Sequence, residues 1–181
     1  MRAETGELFE YLHHNWIVVT TNIGWTIKRP SDSSDSPVGP NPMGTGTALA
    51  LAKAHPDIPY WYGALCFKYK EAIKAMWHPR GFVLFPTKAL NADKPHLSWQ
   101  AKSNLVLIEK SLKELQAMTF PTEEELAAHP FGNPIPPSPI YLPLVGCASG
   151  RLSEKQVRPL MESILDDRFV LLKTPELPHA F

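Results

Sequence analysis

Four short apolar runs, three closing on a polar or small residue and one on Phe85 before Pro86, constrain this chain more than anything else in it. They are 15-NWIVVTTN-22, 81-GFVLF-85, 140-IYLPLVG-146 and 168-RFVLLK-173. Runs this short, rich in β-branched and aromatic residues and bounded by turn residues, read as buried strands. Between them the period changes. Residues 43-MGTGTALALAKAHP-56 turn to helix formers and stop at Pro56, which predicts a helix from about Gly46 to His55. In 59-PYWYGALCFKYKEAIKAMW-77 an aromatic stretch passes into a helical one, with Ile73, Met76 and Trp77 on one face. In 103-SNLVLIEKSLKELQAM-118, Leu105, Ile108, Leu112 and Leu115 form one stripe, and Glu109 and Lys113 pair four residues apart. Thr122 with Glu125, and Ser153 with Gln156, have capping-box spacing. The helix behind Ser153 buries Val157, Leu160, Met161, Ile164 and Leu165, and Pro159 inside it predicts a bend. Strands alternating with helices mean an α/β fold in one domain. Segment 23–42 is a long Ser, Pro, Asp and Gly-rich loop, and loops of that length in compact domains are usually functional or mobile. Prolines make 130–139 a stiff, exposed connector, and a Pro-containing tail follows Lys173.

The totals exclude several classes. Lys+Arg and Asp+Glu are both 18, so the formal charge is zero. Broad capture of nucleic acid or an anionic membrane needs a cationic surplus, although a local basic groove stays open. Cys66 and Cys147 stand far apart with no CxxC or HxxxH, so no metal site is expected, and free thiols are the plainer reading. The seven histidines form no triad pattern, and His13 and His14 are adjacent, so their side chains diverge. No run reaches the roughly 18 apolar residues of a membrane span, and the first residues do not look like a signal peptide. A cytoplasmic monomer without membrane contact is expected.

Ligands of α/β sheets bind beyond the carboxyl ends of strands. Three such ends here carry unusual residues: Asn22, Lys88 and the turn 146-GCASGRL-152. A fourth element, 43-MGTGTA-48, is a glycine-containing helix start. Glycine lets backbone N–H groups approach a ligand, and a helix N-terminus favours anions, so two such loops could grip a diphosphate without metal. Each piece also has a plain structural reading. The GTG is a loop-to-helix turn, and GCASG a strand exit with small residues. Asn22 could bond its own backbone, and Lys88 could be a solvated loop cation two residues past Pro86. Trp25 and Trp99 are pocket walls or local packing.

Taken in order, these pieces resemble the macrodomain family, three-layer α/β/α modules with a central mixed sheet that bind ADP-ribose. The likeness is to its branch of DNA ADP-ribosyl glycohydrolases (DarG) and terminal ADP-ribose glycohydrolases. The residues 5-TGEL-8 look like TGDI or TGDL, 18-VVTTN-22 like VNTVN, and 43-MGTGTALALAKAHP-56 like MGxGIAxxFKxxFP. The residues 85-FPTK-88 look like the branch's strand end, and 142-LPLVGCASGRLSEKQVRPL-160 like PPLGCGxGGLxWxxVxPL. The whole chain, 1–181, then reads as one macrodomain with insertions at about 23–42 and 119–138.

By that resemblance Glu7 meets the adenine amino group and Leu8 adds a backbone contact. Asn22 lies near the distal ribose and is catalytic together with Lys88. Met43, Gly44, Thr45, Gly46, Thr47 and Ala48 form the first diphosphate loop, and Gly146, Cys147, Ala148, Ser149, Gly150, Arg151 and Leu152 the second. Pro86 and Thr87 aim Lys88, which catalyses hydrolysis. ADP-ribose is ligand or product, no cofactor is implied, and ADP-ribosylated DNA is a candidate substrate. A non-catalytic reader and an ADP-ribose 1″-phosphate phosphatase are the alternatives. Four departures stand out. Glu7 is one methylene longer than the usual Asp, Val19 replaces an Asn, Ala148-Ser149 replaces a glycine-rich run, and Gly150 stands where one relative carries Asp. Lys94, His96, Trp99 and Lys102 fall on the expected substrate rim.

Overall fold

The structure, a computed structural model, describes residues 1–12, 14–32, 35–130 and 137–173. His13, the prolines within 131–136 and the tail after Lys173 lie outside the described residues. The strands are β1 (Arg2–Thr5), β2 (Trp16–Asn22), β3 (Met76–His78), β4 (Phe82–Lys88), β5 (Ile140–Leu142) and β6 (Phe169–Lys173). The helices are α1 (Gly46–Ala54), α2 (Ile58–Tyr69), α3 (Leu105–Gln116), α4 (Glu123–Ala128) and α5 (Glu154–Ile164). The six strands form one mixed sheet in the order β1-β6-β5-β2-β4-β3, parallel throughout except for β3, which runs antiparallel to β4.

The strand alternation of side chains divides the core in two. Val18, Val83, Phe85, Ile140 and Leu171 face α3, α4 and α5. Ile17, Val19, Phe82, Leu84 and Val170 face α1 and α2. Helices therefore cover both faces, a three-layer α/β/α sandwich. The expected stripe of α3 is realised: Ile108, Leu112 and Leu115 are buried, and Asn104 caps the helix by accepting from the N–H groups of Val106 and Leu107 at 2.9 and 3.1 Å. The α4 capping box forms as its spacing predicts, Thr122 N–H donating to Glu125 at 2.7 Å and Glu125 N–H returning to the Thr122 hydroxyl at 3.2 Å.

Four expectations are corrected and one strand is added. Helix α2 stops at Tyr69, where Lys70 takes φ +49, and Met76–His78 is a strand, not a helix face. Three residues carry no period, and pairing with β4 decides their state. Strand β1 had no clear sequence signal, because RAET is a charged, mostly exposed edge. Strand β4 does not end at Pro86 but continues to Lys88. Pro86 lies beyond the last β3 pairing, Met76 with Leu84, so the strand has no partner on that side to lose a hydrogen bond to. The strand at 140 ends at Leu142, not Gly146. Finally, α5 contains Pro159, and it buries Val157 and Met161 but Leu160 and Ile164 only partly.

Among the described residues, no helix is long and apolar enough to cross a membrane. Cys66 and Cys147 are free thiols. Segment 23–42 contains no helix or strand among its described residues, but its ends are paired. Thr26 N–H donates to the Pro40 carbonyl and Gly39 N–H to the Thr26 carbonyl, both at 2.9 Å.

Candidate active site

All five parallel strands point their carboxyl ends to one edge. There the chain leaves β2 for α1 on one face, and leaves β4 and β5 for α3 and α5 on the other. A crevice opens where neighbouring strands part in this way. It is a cleft of about 270 Å³, walled by Thr20–Asn22, Pro42, Gly44–Ala48, Thr87, Lys88, Trp99, Ser103, Pro143, Leu144 and residues 146–150.

Asn22 is buried at the end of β2, and its side chain is an internal brace. Its Oδ1 accepts from Gly24 N–H at 2.9 Å and its Nδ2 donates to the Pro42 carbonyl at 3.0 Å. Both readings of this residue therefore meet here, since it bonds its own backbone and also lines the cleft. Asn41, which sequence reasoning missed, sits beneath. It is 2% exposed, and its amide donates to the carbonyls of Asn22 (2.9 Å) and Gly24 (2.7 Å). Its own N–H reaches Pro59 of α2 at 2.7 Å. Gly63 makes that approach possible, because a Cβ there meets Asn41 N and Gly39 O at 2.7 Å. The bracing joins both ends of the long loop to β2 and so places the first glycine loop over the cleft.

In that loop Gly46 has φ +57, a left-handed conformation that favours glycine. Gly44 has no such φ, and a Cβ at either glycine meets no protein atom within 4 Å. The space in front of them is the cleft. Met43 is buried beneath the loop and does not wall the main cleft.

Lys88 owes its direction to an irregularity. In the β2–β4 register Thr21 pairs with Pro86 and Asn22 with Lys88, so Thr87 is an extra residue. Such bulges re-aim the side chains beside them. Thr87 is held by its own hydroxyl, which donates to the Thr21 carbonyl at 3.2 Å, and by Asn104 N–H at its carbonyl at 2.9 Å. Lys88 Nζ then donates to the carbonyls of Trp99 at 2.6 Å and Ser149 at 3.1 Å. Burial, and secondly the Arg151 charge, push the Lys88 pKa below its usual value.

The second loop is tightly wound. Gly146, Ala148 and Arg151 have φ of +76, +50 and +61. For Ala148 and Arg151 this conformation costs about 1 kcal/mol or more each, strain of a kind that collects at functional sites. Gly150 lies so close to Ser103 that a Cβ there falls 2.3 Å from its Oγ. Arg151 reaches away to the Gln100 carbonyl at 2.8 Å, and Leu152 is buried in the core. Neither lines the cleft, and nor does Pro86, which lies within β4. Glu7 and Leu8 follow β1 at the same sheet edge, with β6 and β5 between them and β2. They too are outside the cleft wall. Of the rim residues, Trp99 reaches the cleft, whereas Lys94, His96 and Lys102 do not line it. Trp25 packs edge-on against Phe67 at 5.4 Å.

Solved structures share this fold over almost the whole chain. The macrodomain of Mycobacterium tuberculosis DarG superposes with a TM-score of 0.62 at 19% identity, covering 97% of each chain. The chain has the macrodomain fold. The macrodomain of Thermus aquaticus DarG gives 0.58 at 22% identity, again over 97% of both chains. Thermosipho africanus DarTG, solved in complex with ADP-ribose, gives 0.57 at 19% identity, covering 96% of this chain and 42% of its own. No protein-family model and no curated protein matches the sequence. In macrodomain terms, the cleft lies between two glycine-containing loops at the ends of β2, β4 and β5.

Proposed function

We propose that this macrodomain binds ADP-ribose in the β2–β4–β5 cleft and hydrolyses an ADP-ribosyl linkage, with Lys88 as its catalytic residue and ADP-ribosylated DNA as a candidate substrate. The observation that carries the reading is Lys88 itself, a partly buried cation placed by a bulge at the cleft between both glycine loops. The loops offer backbone N–H groups to diphosphate oxygens. Structures with this fold include DarTG in complex with ADP-ribose, which supports the choice of ligand.

The contacts of Lys88 favour a particular role. An ammonium has three N–H donors, and two are taken by the Trp99 and Ser149 carbonyls. The third is left for the atom that departs from the anomeric carbon. Proton donation to that atom breaks the glycosidic bond, with the bonding electrons leaving on the departing group. Water adds to the anomeric carbon, and its proton returns to the amine. The lowered pKa eases the donation.

A second reading is a binding module without turnover, with Lys88 serving as a strap between the two segments whose carbonyls it holds. Incubation with an ADP-ribosylated oligonucleotide, an ADP-ribosylated protein and ADP-ribose 1″-phosphate separates these readings. Release of ADP-ribose, cut at least about 100-fold by Lys88→Ala with ADP-ribose affinity within about 10-fold, supports hydrolysis. Binding with no release by the parent protein supports the module, and release of inorganic phosphate a phosphatase. Undiminished release by the variant removes Lys88 from the chemistry.

A further inference from the structure

Ser103, directly before the α3 cap Asn104, walls the cleft and is 5% exposed. Among the described residues its hydroxyl has no hydrogen-bond partner. The other buried serine and threonine hydroxyls are all committed. Thr21 bonds the Tyr62 hydroxyl at 3.0 Å, and Thr87 donates to the Thr21 carbonyl at 3.2 Å. Ser98 accepts from Asn91 N–H and Ser111 donates to the Pro86 carbonyl, both at 3.0 Å. A serine hydroxyl has one donor and two acceptor sites, and leaving it buried and unpaired destabilises a fold. Such an exception calls for a reason. Its surroundings suggest one. A Cβ on Gly150 would overlap Ser103 Oγ, and a Cβ on Gly146 would lie 3.1 Å from Ser103 Cβ, so the side chain sits against the main chain of the second glycine loop. Ser103 N–H already holds the Gly150 carbonyl at 2.9 Å. The backbone thus fixes Ser103 under the loop, while its hydroxyl is idle.

We infer that Ser103 is a positioning residue of the second glycine loop, and that its hydroxyl is paired by the loop backbone only when the loop settles on bound ADP-ribose. The inference rests on the proposed ADP-ribose site and adds to it a residue outside both glycine loops. Because Gly146 and Gly150 have no side chains, a turn of one peptide is enough to offer the hydroxyl an N–H or a carbonyl. The same turn aims loop N–H groups at a diphosphate. A ligand shifts such an equilibrium by its differential affinity for the two arrangements. Pairing the hydroxyl in the bound arrangement alone adds to that difference. Removal of the hydroxyl therefore acts with opposite sign in the two states: it relieves the free protein of an unpaired group and takes a hydrogen bond from the complex. A serine that serves only the fold behaves otherwise, because its removal weakens the free protein.

The test compares the full chain with its Ser103→Ala variant, using ADP-ribose as the probe. Without ligand, the variant melts at or above the parent's temperature. Its affinity for ADP-ribose by calorimetry falls about 10-fold, the scale of one net hydrogen bond. Amide hydrogen exchange at saturating ADP-ribose then locates the loss. Protection of amides 147–152 by the ligand is smaller in the variant, whereas protection of amides 44–48 is the same in both proteins. A lower melting temperature without ligand means that the hydroxyl is already paired in the free protein, through a buried water for example, and overturns the inference. Unchanged affinity overturns it as well. Reduced affinity with equal protection of 147–152 makes the hydroxyl a direct ligand contact and removes the loop from the account. Failure of the parent protein to bind ADP-ribose removes the functional reading itself, and shows before the variant is compared.

Discussion

At the scale of single residues, glycines separate what the fold needs from what a ligand needs. Gly150 and Gly44 look alike in sequence, each within a small-residue loop. A Cβ on Gly150 falls 2.3 Å from Ser103 Oγ and 3.1 Å from Ser103 Cβ, whereas a Cβ on Gly44 meets nothing. Gly150→Ala therefore costs about 1–3 kcal/mol as an overpacked site, read from the urea midpoint. Gly44→Ala leaves stability within about 0.5 kcal/mol, as expected for a substitution free of packing contacts. Its methyl group occupies the cleft, so ADP-ribose affinity falls about 10-fold or more by calorimetry, a loss of about 1.4 kcal/mol. Equal effects of the two substitutions on stability contradict this assignment.

At the scale of elements, the site is held by the start of α3 as much as by the strands. Asn104 caps α3 with its side chain, while its own N–H holds the Thr87 carbonyl at 2.9 Å. Ser103 N–H holds the Gly150 carbonyl, also at 2.9 Å. Adjacent amides thus tie the residue before Lys88 and the second glycine loop to one helix end. Asn104→Ala removes the cap and costs about 1 kcal/mol in chemical denaturation. Asn104→Asp retains an acceptor for Val106 and Leu107 and keeps most of that stability. If both variants lose equally, the cap does not carry the effect. The segment Ser103–Asn104 was legible as a helix start. Its second task was not, because the partners Thr87 and Gly150 are distant in sequence and meet it through backbone atoms that any residue has.

At the scale of the whole molecule, strand β3 links acid sensitivity to the sheet edge. His78 stacks on Phe82 with centroids 4.8 Å apart and meets Trp61 edge-on. Its Nδ1 accepts from Arg80 N–H at 3.3 Å. Burial first, then the Arg80 charge, push its pKa down to about 4, against an upward pull from Asp57 and further lowering by His55 and His129. The unfolded chain protonates this imidazole near pH 6.5, so between pH 6.5 and 4 it binds a proton that the folded chain refuses. Stability contributed by the neutral ring is present above that window and falls as the pH drops through it. Thermal unfolding measured from pH 7 to 4 therefore declines less in His78→Phe than in the parent, and parallel declines exclude His78 as the cause. The alternation of apolar runs with helical periods was enough to specify the α/β class, the three strands and three helices that flank the cleft, and both glycine loops. These properties follow from local periodicity and from backbone preferences of nearby residues. The likeness of 85-FPTK-88 to a family strand end singled out Lys88, but not its two carbonyl partners. Tertiary structure decided the rest: that β4 continues past Pro86, that a bulge at Thr87 turns Lys88, that Asn41 braces Asn22, and that Trp99 lies beside the cleft. Each of these depends on pairing register or on contacts between residues far apart in the chain, which periodicity cannot encode.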